Sequence, residues 1–264
     1  MNEKLWQHIL TVRNQSPLVQ NITNYVVMNN TANALLAIGA SPIMAHAHHE
    51  MASMQKICNA LVVNIGTLDE YWVESMLIAA TEANHNNKPW ILDPVGAGAT
   101  PYRDEVLNRL LELKPAAIRG NASEILALAK HNKTQTKGVD STASSLEAID
   151  AARYLTKEFG CLVVISGETD VIVNEGQEFK LNNGNALMTK ITGMGCSATA
   201  ILAAFIAVIT NKTEAAVAAT ALISIAGELA AKNSAGPGSL QMNILDKLYN
   251  ITETEFLQHI KLSN

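Results

Sequence analysis

Cysteine is scarce in this chain. There are three in 264 residues, Cys58, Cys161 and Cys196, with no CxxC pair among them; that excludes a disulfide framework and fits a reducing cytoplasm. Aromatics make up 5% of the sequence and charged residues only 16%, and the low charge beside 48% hydrophobic residues does not read as a disordered chain. Basic residues (19) are outnumbered by acidic ones (24), for a net charge of −5. General nucleic-acid binding is therefore not expected, and an anionic ligand must be held by local donors. Long apolar runs are missing too: the longest, Ala198 to Ile209, falls short of the ~18 to 20 residues of a membrane span and reads as a buried helix. Met1 to Arg13 has no continuous apolar core followed by a small-residue cleavage site, so no signal peptide is expected. No Walker A pattern occurs, which excludes P-loop chemistry. With no internal repeat or low-complexity linker, residues 1–264 read as one domain.

What is present is a regular grammar of apolar strands and amphipathic helices. Hydrophobic residues make up 48% of the chain, enough length and composition to bury roughly 75% of the unfolded surface. Ala60 to Ile65, Pro89 to Leu92, Ala116 to Ile118 and Cys161 to Ile165 are near-continuous apolar runs separated by helical patterns, with a shorter extended segment at Leu18 to Ile22 and another at Ser41 to Ala45. Buried parallel strands read this way, so the expected fold is α/β, a mostly parallel sheet flanked by helices on both faces. Val171 to Asn174 and Glu178 to Leu181 read as a hairpin at the sheet edge. Cys58 and Cys161 fall in apolar surroundings and read as packing residues.

The stretch Ile191-Thr192-Gly193-Met194-Gly195-Cys196-Ser197-Ala198 precedes a long apolar helix. Glycines there can take positive φ and let a phosphate approach backbone N–H groups at the positive end of a helix. A thiol at such a helix start is expected to have a lowered pKa. The order G-x-G-x-x-A also resembles a dinucleotide fingerprint, but that motif opens a βαβ unit, whereas a helix follows here without the strand and acidic residue about 20 positions on.

Ligands of open α/β sheets sit beyond the carboxyl ends of the strands. The polar residues there are Asn64, Gly66 and Thr67, then Asp93, then Arg119 to Asn121, then Ser166 and Gly167. With the glycine loop they place two carboxylates, a guanidinium and an anion cradle on one edge, a set suited to a nucleotide with magnesium. Asn121-Ala122-Ser123-Glu124 has the pattern of a helix cap, and Glu124 can both cap and reach a hydrated cation. His46-Ala47-His48-His49-Glu50 matches no closed zinc spacing and is assigned no role.

The runs QNITNYVVMNNTANALLAIGASPIMA, LDPVGAG, PAAIRGNASEILALA, VVISGETDVI, TGMGCSATA and SAGPGS, in this order over most of the chain, resemble the hydroxyethylthiazole kinases of thiamine salvage, members of the ribokinase-like superfamily. The resemblance implies transfer of the γ-phosphoryl group of ATP, with magnesium, to the hydroxyl of 4-methyl-5-(2-hydroxyethyl)thiazole, by a homotrimer with sites at subunit interfaces. It makes Met44 a contact to the thiazole and Gly193 part of the cradle near its hydroxyl. Arg119 and Ser166 become contacts to ATP, and Asp93 and Glu124 residues that serve Mg2+. Cys196 stands where ribokinase-like enzymes usually carry an aspartate base, and Gly195 completes the cradle. Alternatives are a ribokinase-like nucleotide-dependent dehydratase, a kinase of another small heteroaromatic alcohol, and a ligand sensor that has lost chemistry. The dehydratase pattern carries Asp in the glycine loop, against Cys196 here, and a sensor would not need intact Asp93, Glu124 and Arg119.

Overall fold

Apolar runs without alternation became the inner strands of one nine-stranded sheet in the computed structural model, which describes residues 1–133 and 145–264. The chain opens with α1 (Asn2–Gln15), β1 (Leu18–Ile22), α2 (Met28–Ala37), β2 (Ser41–Ile43) and α3 (Met51–Ile57). It continues through β3 (Ala60–Asn64), α4 (Glu70–His85), β4 (Trp90–Asp93), α5 (Pro101–Glu112), β5 (Ala117–Asn121) and α6 (Ala122–Lys133). After α7 (Ser145–Phe159) come β6 (Leu162–Ser166), β7 (Asp170–Asn174) and β8 (Gln177–Leu181). The last elements are α8 (Met194–Val208), α9 (Lys212–Ala231), α10 (Pro237–Asn250), α11 (Glu253–His259) and β9 (Leu262–Ser263).

Strand order is β2-β1-β3-β4-β5-β6-β7-β8-β9. The six strands from β2 to β6 are parallel, and β7, β8 and β9 add antiparallel to them. Alternate strand residues face opposite layers, as the period of two requires. Val62, Ile91, Ala117, Leu162 and Val164 pack with the apolar faces of α1, α2, α8, α9 and α10. Leu61, Val63, Leu92, Ile118, Val163 and Ile165 pack with α4, α5, α6 and α7. A doubly covered parallel sheet is thereby built, with every β2-to-β6 carboxyl end on the same side.

Three differences from the sequence expectation have physical reasons. The β7–β8 hairpin is not the sheet edge: the two-residue β9, too short to show a period, pairs Lys180 with Ser263 and Leu181 with Leu262 and covers it. Helix α5 went unread although Thr100 caps it, accepting from Arg103 N at 3.3 Å, and Pro101 occupies its first turn. The most membrane-like segment is α9 rather than the Ala198 run: at 20 residues α9 is long and apolar enough to span a bilayer by length and composition, but 83% of its apolar window is buried inside the protein. It is a core helix. Cys58 and Cys161 are fully buried packing residues as expected, and burial raises their thiols to about 11 and about 12.

Candidate active site

Register places the polar strand ends side by side. Asn64 pairs with Asp93 across β3 and β4, and Asn121 pairs with Ser166 across β5 and β6. Arg119 lies one position beyond the Leu92–Ile118 pair. Asn64 Nδ2 donates to Asp93 Oδ2 at 2.6 Å, while Asn64 Oδ1 accepts from Asn24 Nδ2 and from Gly66 N, both at 2.9 Å. Asn24 Nδ2 also lies 3.6 Å from Cys196 Sγ, so one chain of amides joins the β1, β3 and β4 ends to the glycine loop.

That loop has two glycines with different reasons to be glycine. Gly193 has φ +76°, and a Cβ there would lie 2.4 Å from Val27 Cγ1; fold and backbone both demand it. Gly195 is helical within α8, not at positive φ, and its nearest neighbour to a Cβ would be Arg119 Nη1 at 3.6 Å. A Cβ at Gly195 would make only an ordinary contact, so neither strain nor a clash with the protein requires glycine there. Gly193 is the N-cap residue of α8 and no side chain caps that helix. The first intrahelical bond is Ser197 N to Gly193 O, which leaves the N–H groups of Met194, Gly195 and Cys196 at the positive helix end for an anion. Arg119 Nη1 donates to Gly195 O at 3.0 Å and sits beside this cradle, buried.

Glu124 does what its capping pattern implies. Its Oε2 accepts from Asn121 N at 2.8 Å, its own N–H donates to Asn121 Oδ1 at 3.0 Å, and its Oε1 reaches Gly96 N at 3.1 Å in the loop after β4. Asp93 is 4% exposed, and its carboxyl is raised to about 6. Burial drives the rise and the Glu124 charge adds to it, while Arg119, Thr199 and Asn64 hold it back. Two carboxylates that repel each other beside an anion cradle suit a divalent cation. Among the described residues no group of three or more His, Cys, Asp or Glu forms a closed metal site. A cation held here would complete its shell from water and phosphate, the habit of magnesium.

The thiol expectation is overturned. Cys196 is raised to about 12, first by burial and then by the Asp93 charge, which outweigh the hydrogen bonds from Asn64 and Asn24 and the pull of Arg119. A half-buried thiol facing a carboxylate stays protonated at neutral pH although it opens a helix.

Met44 follows β2, half-buried, at the far end of the same edge. Ser166 ends β6. Taking β-strand spacing as about 4.8 Å, five strand places put Met44 and Ser166 about 24 Å apart along the edge. The structure brings Asp93, Glu124, Arg119, Gly193, Gly195 and Cys196 together where the ends of β4 and β5 meet the start of α8. Two of the clustered histidines pack on aromatic rings. His48 stacks on Tyr71 with centroids 3.8 Å apart and His46 packs on Trp72 at 4.7 Å.

Sequence reasoning missed Asn24, Arg103, Asp170 and Thr199. Arg103 donates to the carbonyls of Ile65 (2.6 Å), Val95 (2.8 Å) and Gly66 (2.9 Å), clamping the loops after β3 and β4. Its signal was the unread Thr100-Pro101 helix start. Asn24 and Asp170 had none, since an amide two residues past a strand and an acid opening one look like ordinary loop polarity.

A parallel sheet covered on both faces, with a phosphate cradle at a helix start beyond its carboxyl edge and paired carboxylates beside it, defines a ribokinase-like kinase fold. A ribokinase-like superfamily protein from Enterococcus faecalis shares that fold at a TM-score of 0.63, with 14% identity over 89% of this chain and 87% of that one. The chain belongs to the hydroxyethylthiazole kinase family, whose sequence pattern matches residues 9–254. It is 54% identical to a hydroxyethylthiazole kinase of Aliivibrio fischeri over 96% of this chain and 93% of that protein. It also superposes on the hydroxyethylthiazole kinase structure of Pyrococcus horikoshii with a TM-score of 0.92, at 38% identity over 99% and 98% of the two chains.

Proposed function

We propose that this protein transfers the γ-phosphoryl group of ATP to the hydroxyl of 4-methyl-5-(2-hydroxyethyl)thiazole, in thiamine salvage in the cytoplasm. The observation that carries the reading is the order of groups along the carboxyl edge. Met44 stands at the acceptor end, the uncapped start of α8 with Asp93 and Glu124 in the middle, and Arg119 and Ser166 toward the nucleotide end. A small alcohol, a transferring phosphoryl group and a nucleotide laid in line need that order. Asp93 and Glu124 would hold magnesium, which would supply charge neutralisation for the phosphates.

The chain's own residues account for the rest. The N–H groups of Met194, Gly195 and Cys196 meet the negative charge on the transferring group, and Gly193 brings the loop close to the acceptor hydroxyl. Loose transition states of this type gain more from positioning and charge than from early deprotonation of the alcohol. Cys196, protonated, shapes the site and is not its base. The reading takes residues 1–264 as one kinase domain, supported by the continuous nine-stranded sheet. It takes the enzyme as a homotrimer with sites at subunit interfaces, supported by exposed Tyr25 and Val26 on the segment that packs against the glycine loop.

ADP release with ATP and magnesium, compared among hydroxyethylthiazole, hydroxymethylpyrimidine, pyridoxal and no acceptor, tests the proposal. Release with the thiazole alone supports it; release with another alcohol changes the substrate, and none with any acceptor overturns the kinase reading.

A further inference from the structure

We infer that Asp170, which lies outside the cradle, is a positioning residue for nucleotide binding: its buried carboxylate ties the Ser166–Gly167 turn to the body of the fold through Ser224 of α9. The inference rests on the reading of Ser166 and Arg119 as nucleotide contacts. Strands β6 and β7 are antiparallel neighbours joined by the turn Gly167-Glu168-Thr169. Asp170 opens β7 at 7% exposed, and its Oδ1 accepts from Gly167 N at 3.1 Å, closing the turn that carries Ser166. From the helical layer behind, Ser224 Oγ donates to Asp170 Oδ2 at 3.0 Å. Both carboxylate oxygens are thus used, one toward the turn and one toward the core.

The same carboxylate feels Arg119. Burial pushes Asp170 upward, and the guanidinium is the largest influence holding it back. A buried carboxyl group without donors or a counter-charge is costly, so the turn, the serine and the guanidinium together offset the cost of burying Asp170. One side chain therefore couples Ser166 on β6 to Arg119 on β5, the two groups at the nucleotide end of the edge. The acceptor end, at β2 and β1, has no part in this arrangement.

Steady-state KM values for ATP and for hydroxyethylthiazole, measured on D170A, D170N and S224A beside R119K and S166A, test the assignment, with thermal unfolding of each variant. D170A should raise KM for ATP roughly tenfold, the loss of one charge-assisted contact, and leave KM for the thiazole within about twofold. D170N should recover most of that loss, because an asparagine Oδ1 still accepts from Gly167 N–H and its Nδ2 can donate to Ser224 Oγ. If D170A does not fold, S224A carries the test, with a rise of about threefold in KM for ATP alone. An unchanged KM for ATP in D170A, an equal rise for both substrates, or no recovery in D170N would overturn the positioning role. If R119K and S166A shift KM for ATP while the Asp170 variants do not, the inference fails and the nucleotide reading stands. If R119K and S166A leave it unmoved, the nucleotide reading fails and takes the inference with it.

Discussion

Asp93 is a carboxylate that the fold would rather keep protonated, in a position where the proposed chemistry needs it charged. Because its pKa is raised to about 6, the native state binds this proton more tightly than the unfolded chain does. Its contribution to stability is full below the ordinary carboxylate pKa near 4 and is lost as pH rises through 6; above that, ionised Asp93 costs the native state up to about 3 kcal/mol. Asp93→Asn should therefore be more stable than the parent at pH 8 without nucleotide or magnesium, by up to that amount, while losing turnover. Thermal unfolding from pH 4 to 8 checks it: the advantage must shrink toward pH 4, and a constant offset would count against the cause named here. The raised thiol of Cys196 leads to a second outcome at this scale. Gly195→Val fills the space a phosphate needs, so it should lower kcat by at least about a hundredfold, the scale of losing a preorganised anion site. Cys196→Ala should cost far less, and Cys196→Asp should keep substantial activity. Loss of all turnover in Cys196→Ala with binding intact would return the cysteine to the centre of the chemistry.

Among the elements, α5 has the largest unread consequence. Its first turn delivers Arg103 to three carbonyls at the ends of β3 and β4, the strands that carry Asn64 and Asp93. Those carbonyls lie where two loops meet, and one guanidinium satisfies them all. Arg103→Ala should destabilise the protein by about 2 to 3 kcal/mol, measurable by urea unfolding, and should lower activity as well because the Asn64–Asp93 pair loses its support. Loss of stability with kcat unchanged would show that the strand ends hold their register unaided. Beside those strand ends, α8 gains its role from what its N-terminus lacks. A serine or aspartate cap would stabilise the helix by about 1 kcal/mol and occupy a donor the anion needs. Gly193, caught between positive φ and Val27, admits neither.

The molecule as a whole presents apolar surface beside its site. Tyr25 (61%) and Val26 (62%) stand exposed on the segment that packs over the glycine loop, immediately after the buried Asn24. A large apolar pair next to an active site suits burial against another subunit. Light scattering should give a mass of about 85 kDa, three copies of the 28.3 kDa chain. Val26→Asp should shift that mass toward the single chain and lower activity with it, since a buried charge at an interface is strongly opposed. A single-chain mass with full activity in the parent protein would remove the trimer from the reading.

Period and composition were enough for the layered α/β architecture, because parallel strands buried on both faces must be apolar throughout and the helices between them must show one apolar face. They also placed Asp93, Arg119, Glu124, Ser166 and the glycine loop on one edge, because parallel strands point their carboxyl ends the same way. Local pattern was silent on everything set by burial and by contacts distant in sequence. The Cys196 thiol reads from its helix start as acidic, yet Asp93, more than a hundred residues earlier, and the closing of the core make it the reverse. Gly193 and Gly195 look alike in the chain; the positive φ and Val27 against the first, and no more than an ordinary contact to Arg119 at the second, separate them. Charge, desolvation and steric approach act through space, and only the folded chain brings those partners together.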